Sequence, residues 1–517
     1  MSIIDGFSSL VIDSADYLWN GHILVSLLLG GGFYFLLRSR FIPLIYFFHS
    51  FKILFNKKSN SKGISSYESV SSQIGGIVGM GNISGVAVAI SLGGPGAIFW
   101  MWITSLLGMI TKFYTCSLSV LYRERVNGKN VGGPMLVIVN GLGKKWKPLA
   151  TIFCFFGLLG VSPIFQSNQI VETVNNIILQ NVPLFDNKLY NDFFIGITIM
   201  TIVSLVVLGG IQRIGKVASK LAPVMVITYL LSVLYIMAIN FSEIIPTFGL
   251  IITDAFSYDS LFGGAAGSVI MIGARRASFS NEAGIGTAPI IHASSNTKDP
   301  IEEGMVSMIG PFIDTIVVCT LTAICILVTD TWRDSSFAGI EMVIESFVIS
   351  MPWLGKYLIL FTTLTFAIST LFSLSFFGER CLAFLVGERY KNYYRYVYLI
   401  LILVGSTSSL KFVISVIDLS YGIMAFPTMI SAIYLAPKIE VYSKKYFKML
   451  KIFVVGLKIT KVSILHFHNF IKFIYLNYWI GSRALKYFKC KIAWRRVFYV
   501  FLLSHCPQFH FTSFLEA

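Results

Sequence analysis

An all-α membrane protein is the fold class this sequence predicts: eleven transmembrane helices, the last ten forming two inverted halves of five behind one extra N-terminal span. Three observations carry that expectation. Of 517 residues, 55% are hydrophobic and 13% charged, with mean hydropathy +0.74, whereas a soluble domain carries about 25% charged residues. Apolar runs long enough to cross a bilayer, roughly 20 residues each, recur between residues 22 and 435. Two of those runs, at corresponding places in the two halves, are broken by glycine and polar residues.

The spans read as 22–42, 68–92, 95–121, 148–179, 193–210, 216–239, 262–292, 304–328, 354–386, 395–408 and 412–435. Lys and Arg gather in alternate loops, which sets orientation because positively charged loops stay cytoplasmic. Residues 38–62, 122–147, 211–220 and 387–395 are rich in them, whereas 240–261 has Glu243, Asp254 and Asp259 and no basic residue, and 329–352 has one Arg against four acids. This predicts an outside N-terminus and a cytoplasmic C-terminus, with only the loop at 293–303 left without a side. The first 21 residues hold Asp5, Asp13 and Asp16 and no Lys or Arg, which does not fit a cleavable signal peptide.

The formal net charge of +16 does not point to nucleic acid. Residues 438–496 hold 14 of the 41 Lys/Arg against one acid, Glu440, so the membrane body is nearly neutral. The basicity belongs to a C-terminal tail, 446–517, rich in Lys and aromatics, with Lys451, Lys458, Lys461 and Lys472 interrupting its apolar run. Such a segment suits the surface of anionic lipid, and reads equally as a remnant or altered reading frame without a role. The seven cysteines (116, 154, 319, 325, 381, 490, 506) show no C-x-x-C and read as small apolar packing residues.

The stretch GGIVGMGNISG, 75–85, places five glycines inside a span, although each costs a helix interior about 1 kcal/mol relative to alanine. Its centre, GMGN at 79–82, predicts a break, and SFSNEAGIG at 278–286 predicts a second in the corresponding span of the other half. Because each half has an odd number of spans, the two lie in opposite senses across the membrane. Paired interruptions in inverted halves are the sequence pointer to a transport site near the midplane. A break frees N–H and C=O groups that lipid cannot satisfy. The amides of Met80, Gly81 and Asn82 would open the second half-helix and suit a carboxylate. The carbonyls of Gly75 and Val78 would suit a small hard cation. Packing of small residues offers a plainer reading, since Gly81 and Gly85 also fit G-x-x-x-G.

Lys112, Glu172, Arg275, Arg276, Glu282, Asp314, Glu379, Arg380 and Asp418 fall within the spans. A charge at the bilayer centre costs about 2.5–3.5 kcal/mol on insertion scales, so each needs a partner or water. Arg276 is expected to pair with Glu282 or Asp314, making these three gating or structural charges. Glu379 and Arg380 read as structural pairs, and Lys112 as snorkelling. His292 has no companions at metal-ligand spacing, and no nucleophile triad is present, so no catalytic residue and no bound cofactor is expected.

The runs GNISGVAVAISLGGPGAIFWMW (81–102), YRERVNGKNVGGPM (122–135), RRASFSNEAGIGTAPIIHA (275–293), GPFIDTIVVCTLTA (310–323) and FGERCL (377–382) resemble the alanine/glycine:cation symporters, sodium-coupled amino-acid carriers of bacterial and archaeal cell membranes. The resemblance covers roughly residues 15–445. It implies the leucine-transporter-type fold, with the inverted halves at 68–240 and 262–435 and an extra span and linker at 1–67. It implies a multi-pass protein of the cell (inner) membrane whose partners are a neutral amino acid, sodium and lipid. Carried over position by position, the carbonyls of Gly75 and Val78 with the hydroxyls of Ser369 and Thr370 would hold sodium, Thr365 and Ser373 being weaker candidates. Met80, Gly81, Asn82, Gln166, Phe279, Ser280, Asn281, Ala283 and Gly284 would form the substrate pocket, with Asn168 near it. The sequence departs from the family's usual Thr at Met80, from Glu at Thr115 in TKFYT and from IPN at AFPT, 425–428.

One sodium ion crossing with a neutral zwitterion moves one charge, worth about 2.3 kcal/mol at 100 mV, or roughly 40-fold accumulation. The expected function is therefore import of alanine and glycine by sodium symport. A proton-coupled or differently selective carrier is one alternative, and a non-transporting scaffold or sensor with its output in the basic tail is another.

Overall fold

The structure is a computed structural model. It describes the backbone of residues 3–20, 23–55, 66–179, 184–257, 267–334, 336–337 and 339–480, and side-chain surroundings for most of these up to Leu450. Two units separate by their contacts, Met1–Lys444 and Lys445–Ala517; the candidate site described below lies in the first.

The chain begins with α1 (Ile3–Asn20) and α2 (Ile23–Arg38). The first interrupted span follows as α3 (Ser66–Ile77) and α4 (Met80–Gly93), then α5 (Gly96–Leu121). A hairpin, β1 (Glu124–Val126) and β2 (Lys129–Val131), pairs Glu124 with Val131 antiparallel. Its turn is Asn127-Gly128, both at positive φ, as a two-residue hairpin loop demands. The chain continues with α6 (Lys147–Gly160), α7 (Ile164–Val174), α8 (Lys188–Val207), α9 (Gly210–Ile239) and α10 (Phe241–Ala255). It then runs through α11 (Gly267–Asn281), α12 (Thr287–His292), α13 (Pro300–Ser307), α14 (Thr320–Val328), α15 (Ile340–Ser350), α16 (Gly355–Val386), α17 (Tyr393–Thr407) and α18 (Leu410–Ile480).

Every predicted span falls on helix among the described residues, 262–266 of the span 262–292 lying outside them. Among the described residues eight helices are long and apolar enough to cross a membrane, nine if Ser8–Asn20 and Ile23–Arg38 form one bent span. The predicted spans 262–292 and 395–408 fall on α11 with α12 and on α17, shorter than that measure. The predicted 148–179 span divides into α6 and α7 at Val161–Pro163, because Pro163 has no N–H to continue the ladder. The acidic loops expected at 240–261 and 329–352 hold α10 and α15. The lysines of the tail interrupt its apolar run but not the helix, which runs to Ile480; Lys is a good helix former. Residues 481–517, the rest of the predicted lipid-facing tail, lie outside the described residues.

Packing places the interruptions at the centre. α3 lies between α9 and α16, while α11 packs against α5 and α4. At one end, residues 126–131, 209–212, 294–296 and 379–395 surround a cavity of about 930 Å³. Arg123 donates to the carbonyls of Ala293, Ser295 and Thr297 at 3.2, 2.9 and 2.6 Å, so the loop at 293–303, left without a side by its charges, joins the other basic loops.

Candidate functional site: two interrupted helices and the hydroxyls of α16

At the first interruption only Val78 and Gly79 leave the helix; Met80, Gly81 and Asn82, expected within the break, already form the first turn of α4. The hydrogen bonds explain what is lost. The amide of Gly79, which a continuous helix would close on the Gly75 carbonyl, donates instead to Asn82 Oδ1 at 2.8 Å. The Met80 amide turns to Gln166 Oε1 on α7 at 3.4 Å, a long contact. The Asn82 amide, due to reach Val78, closes on Gly79 at 3.1 Å. Gly75, Gly76 and Val78 therefore lose their helical donors, and the Asn82 amide, expected to be free, is used.

The glycines here make room for neighbours. A Cβ on Gly75 would lie 2.5 Å from Ser369 Oγ, one on Gly79 would overlap Thr370 Oγ1, and one on Gly81 would press to 3.3 Å from Phe279 and Ser280. Gly81 is thus where the two interrupted helices touch. Thr370 donates to Phe366 O at 3.0 Å, leaving its lone pairs available. Ser369 Oγ is fully buried and has no hydrogen-bond partner. Buried polar atoms are nearly always paired, so this one is a candidate for a ligand contact. The other two candidates on α16 differ: Thr365 donates to Phe361 O at 2.9 Å and is partly exposed, while Ser373 donates to Ser72 O at 3.0 Å.

The second interruption is longer, 282–286, and begins after Asn281 rather than at Ser278. Glu282, Gly284 and Gly286 have φ of +55, +84 and +113°. Only the glycines adopt such angles without side-chain strain. Its polar groups are consumed locally. Asn281 Oδ1 accepts the Ala283 amide at 2.9 Å, and Asn281 Nδ2 donates to Thr315 at 3.0 Å. Glu282 accepts from Tyr421 at 2.7 Å and from Thr287. Thr428 donates to the Ile285 carbonyl at 2.9 Å. Gly284 faces Leu28 and Met429 rather than Gly81. The Ala283 amide and the Asn281 side chain, expected in the pocket, are therefore already engaged.

One buried carboxylate joins the two. Asp314 accepts from Asn82 Nδ2 at 2.7 Å, Ser280 Oγ at 2.9 Å and Thr315 Oγ1 at 2.7 Å. Arg276 does not meet it. Contrary to expectation, Arg276 pairs with Asp418 at 2.6 Å, beside Arg275 at 2.8 Å. The left-handed turn at Glu282 directs that carboxylate to Thr287 and Tyr421, and Asp314 is occupied by neutral donors, so Arg276 reaches sideways to α18. Its guanidinium also lies 5.3 Å from the Phe279 ring centroid, and Phe279 packs edge-on against Phe165 at 5.0 Å.

The structure thus gathers Met80, Gly81, Asn82, Gln166, Phe279 and Ser280 around one point, and Gly75, Ser369 and Thr370 around a neighbouring one. Sequence reasoning missed Thr315, Thr322, which donates to the Asn82 carbonyl at 2.7 Å, and Tyr421. Tyr421 carried a usable signal, standing three residues after Asp418 and so on nearly the same helix face. Glu379 pairs with Arg395 at 2.6 Å and Arg380 with Glu388 at 2.8 Å, as structural ion pairs. His292 is held by Glu303 and Gln73, both at 2.7 Å, and no metal-binding group of three His, Cys, Asp or Glu occurs among the described residues. Lys112 is buried rather than snorkelling, its Nζ without a partner.

The profile of the sodium:alanine symporter family matches residues 5–453. An uncharacterised transporter of Haemophilus influenzae is 37% identical over 452 residues, covering 85% of this chain and 96% of that one. The sodium/alanine symporter AgcS of Methanococcus maripaludis is 35% identical, covering 83% and 95%. A probable sodium/glutamine symporter, GlnT of Bacillus subtilis, is 32% identical, covering 82% and 87%. With a profile matching most of its length and relatives of this similarity, the chain is a membrane transporter, not an enzyme, and belongs to the sodium:alanine symporter family.

Proposed function

We propose that this sodium-coupled amino-acid transporter imports small neutral amino acids, alanine and glycine foremost, by alternating access around its two interrupted helices. Sodium sits between the carbonyls of Gly75 and Val78 and the hydroxyls of Ser369 and Thr370, all hard oxygen ligands of the kind such a cation takes. The amides of Met80 and Gly81, at the N-terminus of α4, hold the substrate carboxylate, and Gln166 yields its place at Met80 as the substrate enters. Phe279 and Ser280 bound the pocket at Gly81. Asp314 keeps the two interrupted helices in register as they move.

What supports this reading is a buried Ser369 hydroxyl without a partner, packed against Gly75, whose carbonyl loses its helical donor at the interruption. The inverted halves 68–240 and 262–435 supply the two-fold pseudo-symmetry that alternating access uses. The basic loops around the large cavity support a cytoplasmic side for that end and for the C-terminus in a cell membrane. The relative named for alanine supports alanine as the substrate, and the relative named for glutamine makes glutamine the competitor to try first.

Uptake of labelled alanine by proteoliposomes, with and without an inward sodium gradient, tests the reading. Sodium-dependent accumulation is expected, inhibited by glycine more strongly than by glutamine. Ser369→Ala should raise the sodium concentration for half-activation about tenfold, one cation ligand lost, with little change in uptake at saturating sodium. Uptake driven by a proton gradient alone, or unchanged sodium activation in the variant, contradicts it.

A further inference from the structure

The N-terminal helices α1 and α2, which precede both halves, lie beside α18 at three levels. Arg38, at the end of α2 and in a basic loop, pairs with Glu440. A Cβ on Gly31 would overlap Met429, and one on Gly422 would overlap Leu18, so glycines let the helices approach closely. At the third level Trp19 of α1, 1% exposed, donates from its indole Nε1 to the Asp418 carbonyl at 2.9 Å. Asp418 and Glu440 are about 33 Å apart along α18 at the rise of an α-helix. Trp19 therefore meets α18 toward the end away from the basic loops.

α1 also reaches a second helix. Asp16 accepts from Arg275 Nη1 of α11 at 3.1 Å, and the Arg275 guanidinium lies 5.8 Å from the Trp19 ring centroid. Arg275 and Arg276 share one oxygen of α18, Asp418 Oδ2, at 2.8 and 2.6 Å. Two guanidinium charges on one carboxylate leave an excess positive charge where Arg276 is 4% exposed and Asp418 wholly buried. Asp16 supplies the second carboxylate. An unbalanced charge is costly in such a place, so α1 helps to hold α11 against α18. The arrangement stands directly over the site: Arg276 lies 5.3 Å from the Phe279 ring centroid, and Tyr421, one turn after Asp418, holds Glu282.

We propose that α1 is a strap across the end away from the basic loops, with Asp16 and Trp19 as positioning residues. They keep Arg275 and Arg276 on Asp418, and so keep α11 closed on α18. For α11 to part from α18 on this side, the Asp16–Arg275 ion pair or the Trp19–Asp418 hydrogen bond must break. The strap therefore sets the balance between open and closed at that end. Apparent affinity scales with the fraction of protein in the binding-competent state, so a looser strap raises the affinity for substrate arriving there. The same loosening removes part of the drive for closure, a step that limits many turnovers. The inference rests on the alternating-access reading, with the end bearing α1 outside.

The test is uptake of labelled alanine, over a range of external concentrations at saturating sodium, by cells that express the full chain and have no alanine uptake of their own. Asp16→Asn should lower KM and maximal rate together, each about threefold, as loss of one part-exposed ion pair allows. Asp16→Glu should restore both. Trp19→Phe keeps a ring and loses the donor to Asp418, and should move both values in the same direction as Asp16→Asn. Asp13→Asn, at an exposed acid of the same helix, should change neither. The Asp16 side chain is half exposed, so purified Asp16→Asn should melt at the parent's temperature. KM and rate unchanged in Asp16→Asn and Trp19→Phe overturn the proposal. So does a fall in rate with KM unchanged, which marks a merely structural contact, or a KM that rises. A parent chain without sodium-driven uptake sinks the proposed function and this inference with it; parent uptake that neither variant alters sinks this inference alone.

Discussion

The two interruptions look alike as sequence and differ as chemistry. The first removes two residues from a helix, and each redirected amide leaves a carbonyl without its donor, at Gly75, Gly76 and Val78. It abuts a serine that has no partner. The second removes five residues and satisfies itself: Asn281 caps Ala283, Tyr421 and Thr287 hold Glu282, and Thr428 holds Ile285. Unsatisfied backbone leaves groups a ligand could take, while a closed network of hydrogen bonds fixes a shape. The second interruption is thus the rigid wall against which the first presents its open groups, with Asp314 as the tie.

That contrast can be broken experimentally. The largest effect is expected from Gly75→Ala, which fills the space beside Ser369. Sodium-driven uptake should fall about 100-fold, as displacements of roughly 1 Å at a working site do, while the protein still elutes as a single species on size exclusion. Normal uptake in that variant would mean the space at Gly75 holds no ion. Asn281→Ala should act differently. It leaves the Ala283 amide unpaired in a buried loop, a cost of about 1–3 kcal/mol, visible as lower thermal stability. Once the protein is folded, sodium half-activation should stay unchanged. If this substitution instead moved the sodium dependence and spared stability, the roles assigned to the two interruptions would be reversed.

The smallest effect belongs to the periphery. Partial burial pushes the Glu388 carboxyl up, but Lys391 and the paired nitrogens of Arg380 outweigh that and hold it below its ordinary value. A carboxyl depressed in the folded state contributes stability that is present above its unfolded pKa, about 4.3, and is lost as pH falls through the folded value. Glu388→Gln should therefore lower thermal stability slightly at pH 7, and the difference from the parent chain should vanish toward pH 3. A constant gap across that range would assign the effect to something other than the charge.

Much of this was legible from residues alone. Glycine where a span needs helix formers marked both interruptions and the carbonyls of Gly75 and Val78, while Ser369 followed only from the family resemblance. The extent of each interruption was not, because the residues of GMGN and SFSN are compatible with helix and only competing acceptors decide. Asn82 shows why: its side chain takes the Gly79 amide, a local choice, but its Nδ2 finds Asp314 across 232 positions of sequence. Arg276 shows the same limit. Opposite charges nearby in sequence suggested Glu282, yet the backbone turn at Glu282 and the approach of α18 give it Asp418.

By itself the sequence determined that this chain is helical and membrane-embedded, and where its helices come undone, since bilayer length, hydropathy and glycine are local properties of the chain. Only the tertiary structure decided which interruption stays chemically open. Whether a freed amide or carbonyl finds a partner depends on side chains that arrive from α7, α16 and α18, and sequence separation carries no record of that meeting.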